Sequence, residues 1–253
     1  MLGSLLMALG LAVAPFLTAA AEATPCEAPL DTLYHGCAGR DAARVFLVPD
    51  DLPLPTTGVA SAIIVTGSYT GRDTRPEGTP APVGIAVVEG RVIGRTLARM
   101  DGILLIGADG APRLMRSDAV VLDGQNYDLR QPTVRARFLE AASGAGVSAL
   151  QSHLLVINGA VDTRPVDGAP MATRRVFYQK GDTFGLWESE GALTLDQAAR
   201  EIARTIVPDM ALNLDMGSFN LCLARSGDEQ RDCGLNANGW ETRLSTLLML
   251  YRR

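Results

Sequence analysis

Four stretches of this sequence run apolar and polar residues in alternation on either side of a short glycine turn, and that pattern restricts the chain to hairpins. They are GIAVVEGRVIG around Glu89-Gly90, ILLIGADGAPRLM around Asp109-Gly110, HLLVINGAVDT around Asn158-Gly159 and RVFYQKGDTFGLW around Lys180-Gly181-Asp182. Asn-Gly and similar pairs accept the positive φ that tight hairpin turns demand, and a period of two gives each strand one buried face. Hairpins in series pair antiparallel, so the expected class is α+β: a largely antiparallel or mixed sheet built from hairpins and packed with two or three helices.

Two helices stand out. One covers about Thr133 to Ala142 and ends at the glycine-rich SGAG. The other opens on Thr194-Leu195-Asp196-Gln197, which fits a capping box, and repeats Leu195, Ala198, Ala199, Ile202, Ala203 and Ile206 at helical spacing. Arg200 and Arg204 lie off that stripe, and Pro208 stops the helix. A short apolar strand, Ala211 to Leu214, follows and delivers Asp215 to its end. The Pro- and Gly-rich segment from Thr66 to Gly84 shows no apolar periodicity and is expected to be a long exposed loop.

The chain opens on MLGSLLMALGLAVAPFLTAAAEA, which has an apolar run from Leu5 to Leu17 and then small residues. It reads as a secretory signal over residues 1–23, with an uncleaved N-terminal anchor as the alternative; broken by Pro15, it is a poor permanent span. Residues 24–60 are expected as an N-terminal extension carrying a disulfide loop and 61–253 as the main domain, in a periplasmic or secreted protein. Four cysteines permit three connectivities, and two local loops, Cys26–Cys37 and Cys222–Cys233, are the simplest in an oxidising compartment. A zinc site would want closer spacings and nearby histidines, whereas the chain holds only His35 and His153. A net charge of −5 with scattered basic residues excludes the field that nucleic-acid binding relies on.

Familiar chemistries drop out in turn. Ser68 directly follows Gly67, the wrong spacing for a serine-hydrolase elbow, and His153 before LLVI reads as a structural histidine. The sequence has no phosphate-binding glycine loop, no dinucleotide fingerprint and no calcium loop, so no cofactor and no metal are expected. What remains is a set of loop carboxylates and arginines: Asp215, Arg72, Asp73, Arg75, Glu77, Arg174 and Arg175. Arginine forks suit phosphate, and a partly buried aspartate suits general-base or nucleophilic work.

The order of motifs is more informative than any one of them. An apolar strand into TGSY, then APVGIAVVEG, ALQSHLLVING, the arginine-bearing ATRRVFY, the LTLDQAAREI helix, ALNLDMGS and a closing TRLSTLLMLY together resemble the phosphodiester glycosidase family, from about Ile63 to the C-terminus. Thr66, Gly67, Ser68 and Tyr69 occupy that family's Asn-Gly-Gly-aromatic element, with Thr66 and Ser68 as departures. Leu214, Asp215, Gly217 and Ser218 match its Leu-Asp-Gly-Gly run, with Met216 in place of a glycine. Either Arg174 or Arg175 matches its arginine.

The resemblance implies hydrolysis of a sugar-1-phosphodiester. Arg174, Arg175 or Arg72 would offset the charge of the leaving phosphate, and Asp215 would activate water or stabilise an oxocarbenium-like centre. Asp215 and Arg175 are the expected catalytic pair, with Tyr69 stacking on the sugar and Arg72, Arg174, Asn213 and Ser218 in the binding set. The alternative is a catalytically degenerate relative that holds a glycan or phosphodiester without turning it over. A third possibility is a structural domain in which Asp215 merely caps the next turn.

Overall fold

The computed structural model describes residues 32–54, 59–217, 220–227, 229–234 and 238–252. The expected signal over residues 1–23, Cys26 and Ser218 lie outside them. In chain order the strands are β1 (Tyr34–Cys37), β2 (Asp41–Leu47), β3 (Ser61–Thr66), β4 (Thr70–Thr74), β5 (Pro80–Pro82), β6 (Ala86–Val88) and β7 (Arg91–Gly94). There follow β8 (Gly102–Ile106), β9 (Pro112–Arg116), β10 (Val120–Leu122), β11 (Gln125–Tyr127) and helix α1 (Pro132–Gly144). Beyond it come β12 (Ser148–Ser152), β13 (Leu154–Ile157), β14 (Ala160–Val161), β15 (Arg175–Lys180), β16 (Thr183–Glu188) and helix α2 (Leu195–Thr205). The chain closes with β17 (Met210–Leu214), β18 (Cys222–Ser226), β19 (Glu229–Asp232), a single 3-10 turn at Trp240–Thr242 and β20 (Thr246–Arg252).

Three larger sheets carry the fold, in the orders β1-β16-β15-β17-β13-β14, β7-β6-β12-β8-β9 and β19-β18-β3-β20-β2. Every strand pair among the described residues is antiparallel. The four expected hairpins are β6–β7, β8–β9, β13–β14 and β15–β16. Asn158 and Gly159 take φ of 50° and 76°, the left-handed pair that a two-residue hairpin turn requires.

Burial explains the layering. One face of each large sheet points into a shared core in which Val45, Val65, Leu104, Leu150, Phe177, Leu212 and Leu248 meet. The outer faces are then covered separately. Helix α1 lays Phe138, Leu139 and Ala142 against Ile85, Ile103 and Ala149, while α2 lays Ala198, Ala199 and Ile202 against Val176, Tyr178 and Ala211. Leu221, Leu244 and partly buried Leu52, Leu54 and Trp240 close over the third sheet. Helix α2 carries the capping box as read: Thr194 accepts the Gln197 N–H at 3.2 Å and Gln197 accepts the Thr194 N–H at 2.9 Å.

One expectation changes. The Thr66–Gly84 segment is not simply a long exposed loop, because β4 and β5 pair within it and Arg75 is buried in a bidentate pair with Asp50, both contacts at 3.0 Å. Proline at both ends of β5 hides the strand from any periodicity test, since neither can donate to a ladder. Within residues 24–60, expected as an N-terminal extension with a disulfide loop, β1 pairs with β16 and β2 with β20. Cys222 and Cys233 are disulfide-bonded as expected. Cys37 is disulfide-bonded too, and its expected partner Cys26 lies outside the described residues.

Candidate active site

Loops from all three large sheets converge on a cavity of about 850 Å3. Tyr69 reaches it just after β3, Asp101 just before β8, His153 between β12 and β13, Asp162 just after β14, and Arg174 immediately before β15. The N-terminal turn of α2 completes the rim at Thr194 to Asp196. Loops set at strand ends by a rigid sheet are where binding groups concentrate.

The turn that presents Tyr69 is fixed from below. Gly67 donates to the Thr246 carbonyl at 3.0 Å, and a Cβ there would stand 2.7 Å from the Thr246 hydroxyl oxygen, so no larger residue fits. The two departures from the family element have internal work. The Thr66 hydroxyl accepts the Leu221 N–H at 2.9 Å, and the buried Ser68 hydroxyl shares a 2.8 Å hydrogen bond with Thr246.

Asn213 lies beneath Tyr69 with 1% of its surface exposed. Its amide nitrogen donates to the Tyr69 hydroxyl at 2.5 Å and to the Leu214 carbonyl at 2.8 Å, while its Oδ1 has no partner among the described residues. A carbonyl neighbour accepts only from the NH2 end, which settles how the amide is turned. Tyr69 therefore accepts from Asn213 and keeps its own hydroxyl proton to donate. Burial, and then the Asp215 charge, push this phenol up to about 12, so it stays protonated at neutral pH. Its ring meets His153 edge-on, with centroids 6.1 Å apart.

Arg174 and Arg175 have opposite surroundings. Arg174 lines the cavity at 8% exposure; its Nε donates to the Leu193 carbonyl at 2.8 Å and one Nη to the Pro170 carbonyl at 2.7 Å. No carboxylate stands within ion-pair distance of it among the described residues. Arg175 has no exposed surface, is absent from the cavity wall, and binds Glu188 at 2.7 Å, Asn220 at 2.8 Å and the Leu221 carbonyl at 3.0 Å.

His153, which reads as structural in the sequence, instead lines the cavity, and its ring nitrogens have no hydrogen-bond partner among the described residues. Burial lowers its pKa, Asp101 opposes that shift and Arg174 reinforces it, so the ring is neutral at pH 7. Asp101 accepts the Leu154 N–H at 3.0 Å. Desolvation and the Asp101 carboxylate raise the Asp162 pKa. Sequence reading missed Asp101 and Asp162. Each stands beside a recognised hairpin, but nothing in the local pattern shows that the two hairpins face one cavity.

The remaining candidates lie elsewhere. Asp215 is half-buried next to Tyr69 without lining the cavity; it accepts the Gly217 N–H at 2.9 Å and the Thr70 N–H at 3.4 Å. Burial raises its pKa, against the backbone N–H bonds of Gly217, Thr70 and Met216. Met216 does not take a positive φ, so the methionine fits this turn without the strain that a glycine would otherwise relieve. Arg72 is exposed on β4, away from the cavity wall. No cluster of three or more His, Cys, Asp or Glu placed to hold a metal is found among the described residues.

No protein-family model matches the sequence, and no curated protein matches it. Among solved structures, the chain is similar to the zebrafish N-acetylglucosamine-1-phosphodiester alpha-N-acetylglucosaminidase catalytic domain auto-inhibited by its pro-peptide. That likeness has 12% identity and a TM-score of 0.50 and covers 84% of this chain and 73% of that one. It is also similar to a hypothetical protein from Synechocystis, at 13% identity and TM-score 0.48, covering 85% of this chain and 57% of that one. A protein from Burkholderia pseudomallei described as exported gives 14% identity and TM-score 0.48 over 85% and 71% of the two chains. At these identities the likeness is one of fold.

Proposed function

We propose that this is an exported protein whose cavity binds a sugar-1-phosphodiester and hydrolyses the bond between the anomeric carbon and the phosphate oxygen. The observation that carries the reading is Arg174: a buried guanidinium held only by backbone carbonyls, facing a cavity into which Tyr69 also offers a proton. A buried cation without a carboxylate favours an anion from outside, and two donors lining one cavity suit phosphate oxygens. The zebrafish neighbour, named for action on a phosphodiester of N-acetylglucosamine, supports the same chemistry.

In the proposed reaction Arg174 and the Tyr69 hydroxyl hold the phosphoryl group and take up the negative charge that grows on it as the carbon–oxygen bond breaks. Neutral His153 accepts the proton of the water that attacks the anomeric carbon, with Asp101 stabilising the imidazolium that results. The departing phosphomonoester is already a good leaving group and needs no proton donor. Asn213 and Asp215 act through Tyr69, one by orienting its hydroxyl and the other by fixing its turn and keeping it protonated. Arg175 holds β15 against β18. Export is supported by the Cys222–Cys233 disulfide and by the apolar N-terminal sequence. No helix among the described residues is long and apolar enough to cross a membrane.

A second reading, ligand binding without turnover, is favoured by the engagement of both Asp215 oxygens as a turn cap. One assay separates the two. Incubation with a panel of chromogenic sugar-1-phosphodiesters is expected to release free sugar and a phosphomonoester. A folded protein that turns over none of the panel but binds them is a binder, and one whose binding is unaffected by Arg174→Ala does not use this cavity.

A further inference from the structure

Beside the cation, one stretch of the cavity wall is aliphatic, while Asp101, Ser117, Asp162, Thr163, Thr194 and Asp196 line other parts of it. Val166, Ala169 and Pro170 come from the loop before β15, and Leu97 and Leu195 join them in lining the cavity. Val166 is 67% exposed at the cavity wall, and Met171, in the same loop but not lining the cavity, is 61% exposed. Exposed apolar side chains gathered at one place mark a contact site rather than a random surface.

This loop is built, not loose. Ala169 donates to the Val166 carbonyl at 3.1 Å, and Ala172 and Leu193 exchange backbone hydrogen bonds at 2.8 and 3.2 Å. Arg174 ties it down again through the Pro170 carbonyl. Its apolar side chains are thus held out beside the guanidinium. The rings that line the cavity among the described residues are Tyr69 and His153, and they pack on each other. A sugar stacks on a free aromatic face, and the branched aliphatic groups of this stretch offer none. Arg99 and Arg164, both exposed, also line the cavity, with Asp101, Asp162 and Asp196 of opposite charge.

Resting on the phosphodiester reading above, we propose that the alcohol on the far side of the phosphate is apolar, so that the ligand is a phosphoryl group esterified to an alkyl chain. The phosphoryl group sits on Arg174 and Tyr69, and the alkyl chain lies along Val166, Pro170 and Leu195.

The test is calorimetric titration of the full mature chain with inorganic phosphate, glycerol phosphate and hexyl phosphate, the last below its micellar concentration. Hexyl phosphate is expected to bind at least about tenfold more tightly than glycerol phosphate, the gain from burying roughly two methylenes. Val166→Asn, an uncharged change on an exposed loop where folding is not at stake, is expected to erase most of that preference by removing apolar contact without adding charge beside the anion site. Equal affinity for the two esters, or a preference that survives Val166→Asn, overturns the proposal and leaves the anion site standing. Failure of wild-type protein to bind any of the three overturns the proposal together with the reading beneath it. Co-sedimentation with phosphatidic acid vesicles, lost in Val166→Asn, would assign the chain to a bilayer lipid; hexyl phosphate binding without co-sedimentation would assign it to a soluble ester.

Discussion

Adjacent arginines at the start of β15 show how a one-residue step separates structure from function. Arg175 enters the ladder opposite Leu214 and Glu188, and its guanidinium is closed off by that glutamate, Asn220 and the Leu221 carbonyl. Arg174 stands just outside the ladder and meets only carbonyls on the protein side. Successive side chains leave a strand in opposite directions, so the two cannot serve the same site. The interior arginine is matched in charge and joins two sheets. The cavity arginine is unmatched by any carboxylate among the described residues, which is what the proposed anion site rests on.

The largest effect expected from breaking this contrast falls on stability. Arg175→Ala strands Glu188 and is expected to cost about 3 kcal/mol in urea unfolding, the low end for a buried pair because the Glu188 side chain keeps 22% exposure. The folded fraction should still bind phosphate. Tyr69→Phe should cost less, about 1–2 kcal/mol, because it strips the buried Asn213 amide of one acceptor, and should weaken phosphate affinity roughly ten- to a hundredfold, the range for a hydrogen bond to a charged group, as measured by calorimetry. Thr194→Ala removes one arm of the α2 capping box at the cavity rim and should cost about 1 kcal/mol in the same unfolding assay.

A smaller shift tests His153. If the neutral ring is the base, turnover rises with pH through an acidic limb below the ordinary histidine value of 6.5. Asp101 favours the charged ring, so Asp101→Asn should move that limb to lower pH; a limb that stays or moves up removes His153 from the role. The linked effect on stability has the same sense. With its folded pKa depressed, His153 contributes stability above the unfolded value and loses it as pH falls through the folded one.

Much of the scaffold was legible because its signals are local. Asn158-Gly159 and the Thr194-Gln197 box each act within four residues, and both appear where the sequence places them. The β10–β11 hairpin carried a comparable signal in Asp123-Gly124, with φ of 50° and 75°, that the sequence reading passed over. The cavity was less legible, since its walls join residues from Tyr69 to Asp196 whose proximity depends on sheet order. The choice between Arg174 and Arg175 turned on strand phase, and an RR pair does not declare which member begins the ladder. Asp215 was legible in position, at the end of β17, but not in surroundings, because its contacts come from the Tyr69 turn.

Calorimetric titration of glucose 1-phosphate into Arg174→Ala and the volume-conserving Arg175→Met, each confirmed as folded, tests the contrast most directly. Arg174→Ala should bind at least about tenfold more weakly than wild type, and Arg175→Met should bind as wild type does. Wild-type affinity in Arg174→Ala, or loss of binding confined to folded Arg175→Met, would contradict the assignment of Arg174 as the cation that receives the phosphate.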